Sequence, residues 1–211
     1  MGRLSARRDG GFTLIELLVV MAIIATLAGL GMVGVPRMLR QKNITAAKAR
    51  LAVVHRDLMA YEARYQHMPT ESGEAFVLGP WIHEIVDHTA KDAEIYFDPS
   101  TGNKPDEDLT NVHNMEIDWT GPDQEGRRKK IMTTDLKAAE KIIVCNAIPE
   151  IQGEDDLDEL PHAAKGIVYL TLSGATDFEE SSKFSEGYPV IGPASSNERF
   201  QGMKPPREWG R

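Results

Sequence analysis

The sequence predicts an α+β protein in which a single long N-terminal helix, apolar in its first half and amphipathic in its second, precedes a small sheet-bearing head. Three observations carry this. Residues 12–35 form an almost unbroken apolar run; Ile44, Ala47, Leu51, Val54, Leu58, Tyr61 and Tyr65 then recur at alternating three- and four-residue spacing; and several strand-like runs follow Pro69. Such spacing lines one face of a helix, whereas β-branched and aromatic runs bounded by turn residues read as strands.

The apolar run opens after Gly10-Gly11 with Phe12-Thr13-Leu14-Ile15-Glu16, and Glu16 is its only charged member. At ~1.5 Å per residue a helix of this length reaches across a bilayer core of about 30 Å. Ahead of it stand Arg3, Arg7 and Arg8 against Asp9. Positive flanks stay on the cytoplasmic side, so the rest of the chain is expected outside. A secretory signal peptide would carry small residues after its apolar core, not before it, and a core of only about 7–15 residues. An acid inside a membrane segment costs roughly 2.5–3.5 kcal/mol, so Glu16 is expected to have a partner. Cleavage after Gly11 would leave Phe12 with a free cationic amine beside hydrocarbon, where its attraction to a carboxylate far exceeds that in water.

The leader ending in Gly11, followed by Phe12-Thr13-Leu14-Ile15-Glu16-Leu17-Leu18-Val19-Val20, resembles the class III signal of type IV pilins and type II secretion pseudopilins. The resemblance implies that a prepilin peptidase cuts between Gly11 and Phe12 and methylates the new amine. It implies that Glu16 recruits a subunit by pairing with the Phe12 amine of a neighbour. The implied partners are further copies of the chain and other pilin-like subunits, the prepilin peptidase, and an inner-membrane assembly platform. The implied location is a single pass through the bacterial inner membrane with a periplasmic head, then a filament. The implied architecture is pilin-like, with the second half of the helix on a small antiparallel sheet. The expected organisation is a leader at 1–11, a transmembrane and assembly helix at 12–35, an amphipathic helix at 36–68 and an extracytoplasmic head at 69–211.

Gly29, Gly31 and Gly34 with Pro36 mark a helix break, each glycine costing up to about 1 kcal/mol relative to alanine. In assembled filaments of the family a segment near here loses helicity, so melting on assembly is expected. Small residues for close helix packing, such as Ala25 and Gly29, are the alternative. Beyond Pro36, Lys42, Lys48, Arg50, Arg56, Asp57, Glu62 and Arg64 flank the apolar stripe as on a half-exposed helix, which runs to about His67 before Pro69 stops it.

In the head, strands are expected at 94–97, 112–119, 141–148 and 166–172, with a short helix at 81–90 after Pro80. Loops with turn chemistry fall at 98–103 and 120–123, and an acidic loop at 152–159. Pro69-Thr70-Glu71-Ser72-Gly73 resembles the Pro-Thr-x-x-Gly turn of major pseudopilins, and Gly121-Pro122-Asp123 their Gly-Pro-Asp loop. Their Asp-Pro-Trp-Gly signature is missing; Asp98-Pro99-Ser100-Thr101-Gly102 stands nearest to it. Where that family continues into a calcium-binding acidic loop, this chain has Glu125-Gly126-Arg127-Arg128-Lys129-Lys130. Calcium candidates remain in Asp98, Asp106, Asp108, Asp118 and Asp123, but no spacing matches an EF-hand, and solvated acidic loops are the favoured reading.

The net charge of −8 is the opposite of a nucleic-acid-binding balance, and the basic cluster at 127–130 reads as a local solvated turn. The single cysteine, Cys145, lies in the apolar run 142–145 and reads as core. The histidines at 55, 67, 83, 88, 113 and 162 are scattered. His83-Glu84 followed by His88 misses H-E-x-x-H by one residue, Leu172-Ser173-Gly174 lacks the flanking glycine of G-x-S-x-G, and no phosphate loop is present. The expected protein is therefore not an enzyme and has no cofactor beyond candidate calcium. It is a structural subunit of a type II secretion pseudopilus or type IV pilus-like filament. The alternative is a minor tip protein whose head recognises a polysaccharide, DNA or a secreted substrate. Glu16 argues for the filament body, since tip subunits that only start a filament often lack it.

Overall fold

The computed structural model describes residues 12–124, 131, 141–148 and 160–206, the side chains of residues 30–34 excepted. The leader at 1–11, the basic cluster at 127–130 and the acidic loop at 152–159 lie outside the described residues. The chain divides into two compact units, residues 1–39 and 40–211.

Helix α1, Leu14–Tyr65, runs through the first unit and enters the second. Its backbone is helical through Gly29, Gly31, Gly34 and Pro36 in the single chain, whereas the expected melting belongs to the assembled state. In the second unit the predicted stripe is the buried face: Ile44, Ala47, Leu51, Val54, Leu58 and Tyr61 are all enclosed. The helix ends at Tyr65, ahead of Pro69. Gln66 takes a left-handed conformation (φ 62°) and donates its N–H to the Glu62 carbonyl at 2.7 Å, closing the last turn.

Among the described residues four antiparallel strands follow in the order β1 (Trp119–Thr120), β2 (Ile142–Asn146), β3 (Gly166–Thr171) and β4 (Thr176–Glu180). Alternation along β3 divides the core in two. Val168 and Leu170 join the α1 stripe with Phe76, Trp81, Tyr96 and Trp119, while Ile167 and Tyr169 join Cys145, Phe184, Phe200 and Met203 on the opposite face. Period-two geometry requires that split. On β2 a register shift between Ile142 and Val144 lets Ile143 and Val144 both meet the helix side. Coverage of both faces explains why β2 and β3 read as continuous apolar runs.

Several expectations for the head are corrected. Residues 81–90 are not one helix: α2 (Glu74–Val77) and α3 (Gly79–Ile82) come first, and α4 (Ala90–Ala93) follows a turn in which Glu84 has φ 53°. Residues 94–97 are not a strand, because α4, capped by the Thr89 hydroxyl on the Asp92 amide, runs on into a 3-10 turn at Glu94–Tyr96. That turn still buries Tyr96 and Phe97. Within 112–119 only Trp119 is strand; α5 (Thr110–His113) takes the start of that run. The β4 strand was not expected. It carries Asp177, Glu179 and Glu180 and, among the described residues, pairs only with β3, and edge strands tolerate charges that central strands exclude.

Candidate functional site

The N-terminal segment begins at Phe12 within the described residues, and Gly11, the expected processing residue, lies outside them. Phe12 and Leu14 are 81% and 87% exposed, and Ile15, Leu17, Leu18, Met21, Ile23, Ile24 and Leu27 are exposed with them. A contiguous apolar surface of this kind marks a place where a membrane or another protein docks. Among the described residues no helix is long and apolar enough to cross a membrane.

Glu16 sits in the first turn of α1 and is held in cis. Its Oε2 accepts from the Thr13 amide at 2.9 Å and from the Thr13 hydroxyl at 2.8 Å, while Thr13 Oγ1 accepts from the Glu16 amide at 3.3 Å. This is a reciprocal capping box, and it places a carboxylate on the positive end of the helix dipole. The expected in-trans partner of Glu16 is thus preceded by an in-cis partner that the sequence reading missed. The Thr13-x-x-Glu16 spacing carried the signal.

Residues 6–32 match the family model described as the prokaryotic N-terminal methylation motif. The N-terminal segment therefore carries a motif of the kind that type IV pilin-like precursors bear. No curated protein and no solved structure matches the chain. The pilin-type motif marks a structural family, not an enzyme family, and it implies processing by prepilin peptidase, membrane anchoring and assembly with other pilin-type subunits. The long helix and small antiparallel sheet agree with an α+β pilin-like fold.

In the head, the five calcium candidates do not converge. Asp98 and Asp118 meet in a buried network, at 0% and 2% exposure. The Asp98 amide donates to Asp118 Oδ2 at 2.8 Å, joined there by the Thr101 hydroxyl at 2.6 Å, and Asn103 Nδ2 reaches Oδ1 at 2.8 Å. Asp98 Oδ1 accepts from the amide and hydroxyl of Ser100, and Oδ2 from Asn146 Nδ2 at 2.7 Å. Asn146 is fixed in that orientation because its Oδ1 accepts from the Val168 amide at 2.7 Å. His162 Nε2 lies 3.2 Å from Asp98 Oδ2, an ion-pair distance without hydrogen-bond alignment. Asp106 and Asp108 sit on exposed loop, where the Asp106 amide donates to Asn111 Oδ1 and Asp108 Oδ1 accepts from the Thr110 amide. Asp123 faces the Ser72 hydroxyl at 3.4 Å.

These residues do not fit calcium, which asks for about six to eight oxygen ligands. Around Asp98 and Asp118 the neighbours are N–H and O–H donors, and both asparagines present their NH2 groups. Among the described residues no group of three or more His, Cys, Asp or Glu side chains is arranged to hold a metal ion. Burial pushes the Asp98 carboxyl up, but the His162 imidazole and the Ser100 donors outweigh it and hold the group below its ordinary value. For Asp118 burial wins over the Thr101, Asn103 and Asp98 donors, and the carboxyl is raised. Ser100, His162 and Asp98 do not form a nucleophile triad: Ser100 Oγ accepts from the His162 backbone amide and donates to Asp98. The network joins the 98–103 turn to β2 and β3.

The two short pseudopilin-like pieces do converge. The Gly73 amide donates to the Pro122 carbonyl at 3.2 Å, the Gly121 amide to the Gly73 carbonyl at 3.0 Å, and Gln124 Nε2 to the carbonyls of Pro69 at 2.9 Å and Glu71 at 2.7 Å. Each piece is the hydrogen-bond partner of the other.

Proposed function

We propose that this chain is a structural subunit of a filament of the type II secretion pseudopilus or type IV pilus kind. Prepilin peptidase removes residues 1–11, and Phe12 becomes the methylated N-terminus. Residues 12–35 form the transmembrane and assembly helix that holds the subunit in the bacterial inner membrane, with residues 69–211 as a periplasmic head. An inner-membrane platform then moves the subunit into a homopolymer, alone or with other pilin-like subunits. The observation that carries this reading is Glu16, one carboxylate in an otherwise apolar exposed surface, next to the place where cleavage creates an amine. On extraction from lipid, pairing of Glu16 with a neighbour's Phe12 amine satisfies both charges where water is scarce. The helix between Gly29 and Pro36 melts in the assembled state, where neighbouring helices supply packing that the single chain lacks.

The test is the intact mass and N-terminal residue of the protein from cells with and without prepilin peptidase, for the native sequence and for Glu16→Ala. A mature chain starting at methylated Phe12, with Glu16→Ala processed but not assembled, is the expected result. An uncut Met1 chain in cells with active peptidase would overturn the reading.

A further inference from the structure

Two histidines that the sequence leaves 25 positions apart meet on the surface of the second unit. His88, in the turn before α4, stacks on the buried Trp81 with ring centres 4.3 Å apart and planes 15° apart. His113, the last residue of α5, approaches the edge of the same indole, and the His88 and His113 ring centres lie 6.1 Å apart at 86°. Both side chains belong to exposed residues.

Each ring is oriented by a backbone carbonyl. His88 Nε2 lies 2.8 Å from the Trp81 carbonyl oxygen, and His113 Nδ1 lies 2.7 Å from that of Leu109. A carbonyl only accepts, so these nitrogens carry the protons. In the neutral rings His88 Nδ1 and His113 Nε2 are then left with their lone pairs. An imidazole with one nitrogen donating to a carbonyl and the other free is the usual state of a metal-ligating histidine, because the hydrogen bond fixes tautomer and ring direction before the ion arrives.

The spacing fits one ion. With Zn–N near 2.0–2.1 Å and roughly 1.1 Å from nitrogen to ring centre, two imidazoles on a tetrahedral ion hold their centres about 5 Å apart, and collinear ones about 6.4 Å. The observed 6.1 Å falls inside that interval. No third His, Cys or carboxylate completes a cluster among the described residues, and the remaining positions fall to water.

We infer that His88 and His113 form a two-imidazole surface site for a borderline divalent transition ion, Zn²⁺ or Cu²⁺, that ties the turn before α4 to α5. Imidazole suits these ions, whereas the oxygen-seeking Ca²⁺ and Mg²⁺ gain little from it. Because the ion joins two segments of the folded chain and finds no such pair in the unfolded one, binding stabilises the fold by mass action.

The test is a calorimetric titration of the full chain in detergent micelles with ZnSO4, paired with thermal melting before and after EDTA. His88→Gln and His113→Gln keep an N–H donor for the local carbonyl but remove the imidazole ligand, and His67→Gln serves as the control. The expected result is one Zn²⁺ per chain in the native protein and in His67→Gln. Affinity should fall by at least about tenfold in either of the other two variants, since a single remaining imidazole holds the ion poorly. Melting temperature should rise with Zn²⁺ and return with EDTA, and Cu²⁺ loaded at one equivalent should give a spectrum with coupling to two nitrogens, reduced to one in each variant. Zn²⁺ binding equal in native and both variants, coupling to other than two nitrogens, or no binding at millimolar Zn²⁺ would overturn the proposal.

Discussion

The amide of Gly121 donates to the carbonyl of Gly73 at 3.0 Å, and a Cβ built on Gly121 would meet that same oxygen at 2.8 Å. Side chains of any size are therefore excluded where two distant loops touch. The same Cβ would stand 2.7 Å from Phe76, which is fully buried in the helix-side core. Gly121→Ala is expected to cost about 1–3 kcal/mol by overpacking, read as a lower midpoint in denaturant melts. An unchanged midpoint would show that the contact relaxes freely.

The Asp98 network makes acid stability depend on that carboxyl. Its folded value lies below the ordinary one near 3.9, so the stabilisation is present above the unfolded value and is lost as pH falls through the folded one. Asp118, raised by burial, acts in the opposite sense and gives back part of that loss on acidification. Asp98→Asn should cost about 3 kcal/mol near neutral pH, because it leaves Asn146 and His162 facing an uncharged amide in a buried site. Its stability should then change less than the native protein's between pH 5 and pH 2 (roughly the carboxylate range). Parallel pH profiles for the two proteins would contradict the assignment.

Thr13 holds Glu16 before any partner arrives. Thr13→Val removes the hydroxyl that caps the Glu16 amide and is expected to speed hydrogen exchange at the first turn of α1 while leaving the second unit's amides unchanged. Equal exchange in both proteins would show that the capping box does not order the helix start.

Pro36 lies inside a continuous helix and lacks the N–H that the turn before it would use. Pro36→Ala should strengthen the helix by up to about 3 kcal/mol and, if melting of 29–36 accompanies assembly, should slow filament formation. Faster or unaltered assembly would count against that melting.

Cys145 is enclosed on the far face of the sheet, where burial raises its thiol far above the ordinary range. Thiol reagents should leave the native protein unlabelled at neutral pH and label it fully in denaturant. Rapid labelling of the folded chain would show that the face opens.

The chain's own periodicities determined a good deal. The apolar run with Glu16 identified the N-terminal segment, three- and four-residue spacing located the buried face of α1 from Ile44 to Tyr61, and the apolar runs at β2 and β3 located the central strands. These features are local, since a helix face or a doubly covered strand is written in neighbouring residues. Residues 94–97 misled because an aromatic run fills a core equally well from a helical turn, and β4 was hidden because an edge strand need not be apolar. What only the tertiary structure decided was which distant residues meet. Asp98 was separated from Asp106, Asp108 and Asp123 and joined to Asp118, Asn146 and His162; Gly73 was joined to Gly121; and His88 was brought beside His113. Those pairings depend on the path of the backbone between them, and side-chain pattern within either segment carries no record of it.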